Sequence, residues 1–156
     1  MSVKAPAKPK ARRFPKRPTP KPKVARPRPS HRAVNPDHVL LTRTKGTPER
    51  GGGPGGEAWK IEVDAKRAGI VFINLIEELP VGRHASIQIY LNKPSQGRHI
   101  GRIAYRKACE ASSYDVIYAH MRKSNLASRR AAEEAGFEVD MRAGTSQLLM
   151  RWHRKP

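Results

Sequence analysis

The residues best placed to do chemistry are Gln96-Gly97-Arg98-His99-Ile100-Gly101-Arg102, which leave an apolar strand ending at Leu91 and enter a helix at Ile100. A loop of this kind presents several unpaired backbone N–H groups at a helix N-terminus. The helix dipole adds about half a positive charge there. Glycine lets a ligand come close to the backbone, and Arg98 and Arg102 add mobile cations. The chemistry this suits is the cradling of a phosphate. The segment lacks GxxxxGK[ST], so it is not a P-loop, and it lacks GxGxxG, so it is not a dinucleotide fingerprint. An ordinary strand-to-helix turn accounts for the same residues equally well.

Other reactive side chains give weaker signals. Glu77, Glu78 and His84 lie at strand ends and have the right types for a base, but position makes each an ordinary solvated residue. Cys109 falls mid-helix among alanines and reads as a packing residue. As the single cysteine it excludes an internal disulfide and a cysteine-based zinc site. The six histidines (31, 38, 84, 99, 120 and 153) show no paired metal spacing, so no metal is expected. Trp59 and Trp152 sit in strand-like runs and read as packing. Arg122-Lys123 could meet a phosphate, although a solvated turn is the default for such a pair.

Stepping outward from the loop, HVLLTRT (38–44) is a strand candidate, and residues 44–57, with six glycines and two prolines, read as a flexible loop. AWKIEVD (58–64) alternates, with Trp59, Ile61 and Val63 on one face. DAKRAG is a hairpin turn, and GIVFINLI (69–76) suits a central strand. ASIQIYL (85–91) alternates again, with Ile87, Ile89 and Leu91 on one face. Ile100 to Ala111 has helical spacing. DVIYAHM (115–121) is a strand, and Asn125 to Ala135 is a helix closed by Gly136. FEVD (137–140) and TSQLLMRW (145–152) are the last strands, around an Ala-Gly turn. The expected fold is α/β, with one mixed central sheet and helices over about 120 residues.

Placed in this order, two segments carry a family likeness. Leu91 followed by Gln96, Gly97-Arg98-His99-Ile100-Gly101, resembles the V-x-x-x-x-[QR]-x-x-G-x-[GA] motif of the GNAT superfamily of acyl-CoA N-acyltransferases. Asn125-Leu-Ala-Ser128 and Gly136-Phe137 resemble the family's N-x-x-[AS]…GF segment. The likeness covers roughly residues 58–152. It implies that acetyl-CoA or CoA is the cofactor, with its pyrophosphate on the backbone amides of Gln96 to Gly101. It further implies a pantetheine arm between the strands that hold Ile89, Leu91 and Met121, with Asn125 facing that arm. The cofactor set is then Ile89, Leu91, Gln96, Gly97, Arg98, His99, Ile100, Gly101, Arg102 and Asn125. The resemblance also assigns the oxyanion donor to the backbone N–H of Leu91.

Three departures from the family pattern stand out. His99 replaces a motif glycine, either as an extra phosphate contact or as an exposed loop residue. The family's usual tyrosine acid falls on Ala132, which leaves Ser128 as the nearest substitute, its alternative being a helix-surface or capping hydroxyl. The two helices usual between the first and second strands are lacking, since 44–57 is too glycine-rich to supply them. The acceptor side is therefore expected to be open, or completed by a second subunit or by the N-terminal residues, with a homodimer as one arrangement.

Charge divides the chain. Residues 1–36 hold 12 Lys and Arg, no Asp or Glu, and 9 of the 14 prolines, leaving +7 of the net +19 to residues 37–156. Such a segment cannot form a helix and has little to bury, so a disordered basic Pro-rich arm is expected over 1–36, ahead of a domain over 37–156. A polyanion is the natural partner, and we expect this arm to contact nucleic acid, with a solvated tail as the plain alternative. No apolar run spans a membrane and no secretory h-region precedes the domain, so a cytoplasmic protein with no membrane partner is expected. Mean hydropathy is −0.71, in keeping with this. Two function classes fit: an acetyl-CoA-dependent N-acetyltransferase acting on an amine, or a nucleic-acid-binding or interaction protein on the same fold with little catalysis.

Overall fold

The computed structural model describes residues 2–6, 33–142 and 146–156. Most of the expected arm, and the Ala-Gly turn before the last strand, lie outside the described residues. The strands are β1 (Val39–Thr44), β2 (Glu57–Val63), β3 (Lys66–Glu78), β4 (Gly82–Leu91), β5 (Val116–Met121), β6 (Glu138–Val139) and β7 (Leu148–His153). The helices are α1 (Ile100–Ala111) and α2 (Leu126–Glu134). The strands form one mixed sheet in the order β1-β2-β3-β4-β5-β7-β6. This is the single mixed sheet with helices that the sequence implied.

The first four strands form an antiparallel meander. At the β2–β3 turn, Asp64 (φ 50°) and Ala65 (φ 62°) both take the left-handed conformation. That pair of dihedrals matches the right-handed twist of the strands it joins. β4 and β5 run parallel, so their connection must cross the sheet, and α1 makes that crossing. α1 and α2 pack against each other and cover one face. Beneath them lie Trp59, Ile61, Val71, Ile73, Ile87, Ile117 and Met150, with Ile100, Ile103, Ala104 and Ala108 contributed by α1. The predicted packing roles hold for Cys109, Trp59 and Trp152, all buried. Desolvation pushes the Cys109 thiol far above its ordinary range, so it stays protonated and inert.

Glu57 ties the sheet to the end of α1. Its carboxylate accepts hydrogen bonds from the Ser112 hydroxyl, the Ser113 N–H (3.1 Å) and the Ser113 hydroxyl (2.9 Å), and Arg43 lies 3.6 Å away. Burial would raise its pKa, but these donors and the Arg43 charge outweigh burial and hold it below the ordinary carboxylate range.

Among the described residues, no α-helix covers the opposite face. Residues 45–56 fold across part of it with one irregular turn, Pro48–Gly52, and as expected form neither of the two helices usual in the family. The segment is fastened rather than loose. Asn74 of β3 accepts from the Gly51 N–H (2.8 Å) and donates to the Glu49 carbonyl (2.7 Å). Gly51 (φ 77°) sits so close to Glu57 and Ala58 that a Cβ there would clash with backbone. The segment thereby seals Ala58 and Phe72, and Arg50 lies over the Tyr90 ring at 4.9 Å. With both faces of β3 covered, the continuous apolar run of that strand has its explanation. Among the described residues, no helix is long and apolar enough to cross a membrane.

Candidate functional site

β4 and β5 are in register only at Ala85–Ile117 and Ser86–Tyr118. Beyond those pairs they part, and a cleft of about 640 Å³ opens beside the end of β4, walled by the loop into α1, by α1 and by Asn125 with α2. The opening exposes backbone groups. Asn92 N–H donates to the Ala68 carbonyl of β3 (2.9 Å), so strand alternation turns Leu91 the other way, toward the gap. The Leu91 carbonyl accordingly accepts from Gln96 Nε2 (3.1 Å), and its N–H lies on the same edge. A strand edge left open in this way can pair with a ligand's amide groups.

The loop after β4 is held by Asn92. Its side chain accepts from Ser95 N–H (3.2 Å) and donates to the Arg67 carbonyl (2.8 Å). Gly97 (φ 74°) and His99 (φ 58°) then bend the chain into α1. No side chain caps α1, so its first-turn N–H groups face the cleft without a side-chain acceptor. Gly101 has no packing reason to be glycine: a Cβ there would meet only the Ala131 methyl, at 3.7 Å. The space beside it belongs to the cleft.

Of the sequence-predicted residues, Ile89, Leu91, Gln96, Gly97, His99, Ile100, Gly101, Arg102, Asn125 and Ser128 all line this cleft. Arg98 does not; its carbonyl instead accepts from Val34 N–H (3.2 Å), which docks the N-terminal segment on the loop. Arg102 is not a free cation, because its guanidinium pairs with Glu134 at 3.0 Å. Asn125 caps α2, accepting from Ser128 N–H (3.1 Å), so only its Nδ2 remains to donate into the cleft. The capping is done by Asn125, and the Ser128 hydroxyl is left to the cleft wall. Ala132, where the family tyrosine would stand, is the fully buried residue of α2. Sequence reasoning missed Tyr105, which lines the cleft from α1 and packs edge-on against Phe137 at 5.7 Å. Its place one position from Ala104 on the apolar face was the available signal. Burial pushes its phenol up to about 12, so it stays protonated. His84, read as solvated, is buried.

Residues 8–138 match the family model for the acetyltransferase (GNAT) domain. The chain belongs to the GNAT acetyltransferases. Solved structures share its fold. One is an acetyltransferase from Agrobacterium tumefaciens (21% identity, TM-score 0.51, covering 64% of this chain and 62% of that one). Another is Mycobacterium smegmatis RimJ in complex with CoA-disulfide (20%, 0.50, covering 63% and 53%). A third is the aminoglycoside acetyltransferase AAC(6′)-Ib with coenzyme A and kanamycin (18%, 0.55, covering 64% and 67%). The matched part thus spans less than two thirds of the first two. A search of curated protein sequences finds no match. Against the family motif, this chain keeps Gln96 and Gly101 and departs at His99 and Ala132.

Proposed function

We propose that this GNAT chain transfers the acetyl group of acetyl-CoA to an amine. The observation that carries the reading is the cleft where β4 and β5 part. It is walled by an uncapped helix N-terminus and has free space at Gly101. Residues 96–101 would hold the pyrophosphate on backbone amides, and the open edge at Ile89 and Leu91 would hold the pantetheine amides. Acetyl-CoA supplies an activated thioester. The acceptor, mostly an ammonium at pH 7, must first lose a proton. Leu91 N–H is the fixed donor for the oxyanion. Ser128 is the hydroxyl available to the departing sulfur. The bare sheet face admits a large acceptor better than a small enclosed one.

The basic residues 1–36 are proposed to bring the domain (37–156) to nucleic acid or nucleoprotein. A second reading, a nucleic-acid-binding or interaction protein on this fold with weak catalysis, is favoured by one observation: Ala132 leaves the usual acid position without a proton donor. Calorimetric titration with acetyl-CoA, followed by mass analysis of a panel of amines, separates the two. Binding with acetylation supports the transferase. Binding without acetylation supports the second reading, and no heat overturns the cofactor assignment.

A further inference from the structure

Two histidines touch on the helix-free face of the sheet. His84 of β4 is 6% exposed, and its Nε2 lies 2.8 Å from Nε2 of His120 on β5. Their rings stack with centroids 5.1 Å apart, and the Tyr118 ring meets His84 edge-on at 5.0 Å. The hydrogen bonds assign the tautomers. His84 Nδ1 faces the Gly82 carbonyl at 2.7 Å, and a carbonyl only accepts, so Nδ1 carries the proton. His84 Nε2 is then a lone pair, and His120 Nε2–H must donate to it. The free lone pair of the dyad is therefore on His120 Nδ1.

The position matters as much as the pairing. Tyr118 is the last β5 residue in register with β4, and His120 is the next residue on the same face. It stands just past the last β4–β5 pair, on the sheet face opposite α1 and α2. The groups around it are His84 from β4, Tyr118 on its own strand, Glu78 from β3, and Leu149 opposite it on β7. Arg151, opposite Tyr118, faces Asp140 at 3.7 Å. Burial and the neighbouring His84 lower the pKa of His120, against a smaller opposing pull from Glu78, so the ring is neutral at pH 7.

We propose that His84 and His120 form a one-proton dyad that acts as the general base toward the acceptor amine, with His120 Nδ1 as the catalytic atom and His84 as its positioning residue. The proposal rests on the transferase reading. The acceptor's ammonium gives its proton to His120 Nδ1. The freed nitrogen pair forms the bond to the thioester carbonyl carbon, the carbon–sulfur bond breaks, and the thiolate takes the second proton of the nitrogen. The dyad then returns its proton to water. As the first proton arrives, the Nε2–H of His120 can pass to His84, which spreads the charge toward the Gly82 carbonyl. A second proton would set two N–H groups head-on at 2.8 Å, so the pair holds one only.

Long-range proton–nitrogen NMR of the free protein, from pH 5 to 9, tests the dyad without any substrate. The expected result is an Nδ1–H tautomer at His84 and an Nε2–H tautomer at His120, which switches to Nδ1–H in His84→Asn or loses its fixed tautomer. Independent titration of the two rings, or Nδ1–H at His120 in the wild type, overturns it. With acetyl-CoA and a panel of spermidine, kanamycin, poly-lysine and acidic peptides with a free amino terminus or a lysine, His120→Asn should lower kcat/KM about 100-fold and abolish the acid limb of its pH profile, with the KM for acetyl-CoA unchanged. His84→Asn should shift that limb. An unaltered limb in His120→Asn overturns the base role, as does wild type that binds acetyl-CoA but acetylates none of the panel. Failure to bind acetyl-CoA would overturn the transferase reading itself.

Discussion

Gly101→Glu should abolish acetyl-CoA binding without unfolding the protein, whereas Gly101→Ala should leave binding near that of wild type. Gly101 is the second residue of α1, in ordinary helical backbone, and a Cβ there would meet only Ala131 at 3.7 Å, a normal contact. Alanine in place of glycine in a helix stabilises by up to about 1 kcal/mol, with less at the first turn, so a rise of a few tenths is expected. The motif that the loop resembles admits either glycine or alanine at this position, so a methyl is compatible with the ligand. A glutamate instead extends bulk and negative charge into the cleft beside the amides of residues 96–101. If it displaces the pyrophosphate from even one of these, the loss is that of a hydrogen bond to a charged group, about 1.5–3 kcal/mol. That corresponds to roughly a tenfold to 150-fold weaker Kd, to which the repulsion of like charges adds. Calorimetry gives the affinity, and thermal unfolding without ligand gives the stability. A folded glutamate variant that binds within threefold of wild type would refute the placement of the pyrophosphate. An alanine variant that loses its fold would refute the claim that this position has room to spare.

Glu57→Gln should cost about 1–3 kcal/mol at pH 7, because a buried carboxylate that accepts three hydrogen bonds loses its charge. The folded pKa of Glu57 is depressed, so its contribution is present above the unfolded value and fades as pH falls through the folded one. The Tm gap between wild type and variant should therefore be widest near neutrality and close in acid; a gap independent of pH would show that the charge is not what stabilises. Ser128→Ala should lower kcat and leave acetyl-CoA affinity nearly unchanged, the pattern of a contact made mainly in the transition state. Unchanged turnover would return Ser128 to the helix surface. Deleting residues 1–32, which hold all 12 cations and stop short of the docked Val34, should leave acetyl-CoA binding intact. If about 6 of the 12 cations meet phosphates, the deletion should remove a slope of about −5 from the log–log salt dependence of duplex DNA binding. Equal slopes for the two chains would show that the contact lies elsewhere.

Local signals carried most of the element boundaries. α1 begins and ends where the spacing of Ile100, Ile103, Ala104, Ala108 and Ala111 placed it, because a helix with one buried stripe writes that stripe at period 3.6. Among the described residues, the last two strands differ from FEVD and TSQLLMRW, since only Glu138–Val139 and Leu148–His153 find ladder partners. The uncapped turn into α1 was legible twice, as glycines at a helix start and as a family motif. What those residues do with their side chains was less so. Arg102 has the type of a phosphate ligand, but Glu134, 32 positions away, already holds it. His84 and His120 are 36 positions apart and meet only because β4 and β5 are parallel neighbours. Glu57, among alternating strand residues, gave no hint that the hydroxyls ending α1 would surround it.

The glycine-rich segment is where composition misled and geometry decides. Six glycines in 44–57 mark a chain that bends freely when unfolded, yet Asn74 fixes it from both sides and Gly51 lies where no other residue fits. The glycines are there for close approach to the sheet, so that a thin layer replaces two helices. A thin layer seals Ala58 and Phe72 but builds no wall around the His84–His120 side of the sheet. An acceptor reaching that side would not be enclosed by the described residues. Half-exposed Tyr90, with Arg50 over its ring, borders the approach and adds cationic character to it. A macromolecule that carries an amine beside negative charge matches this approach better than a small polycation, which the chain's net charge of +19 would repel.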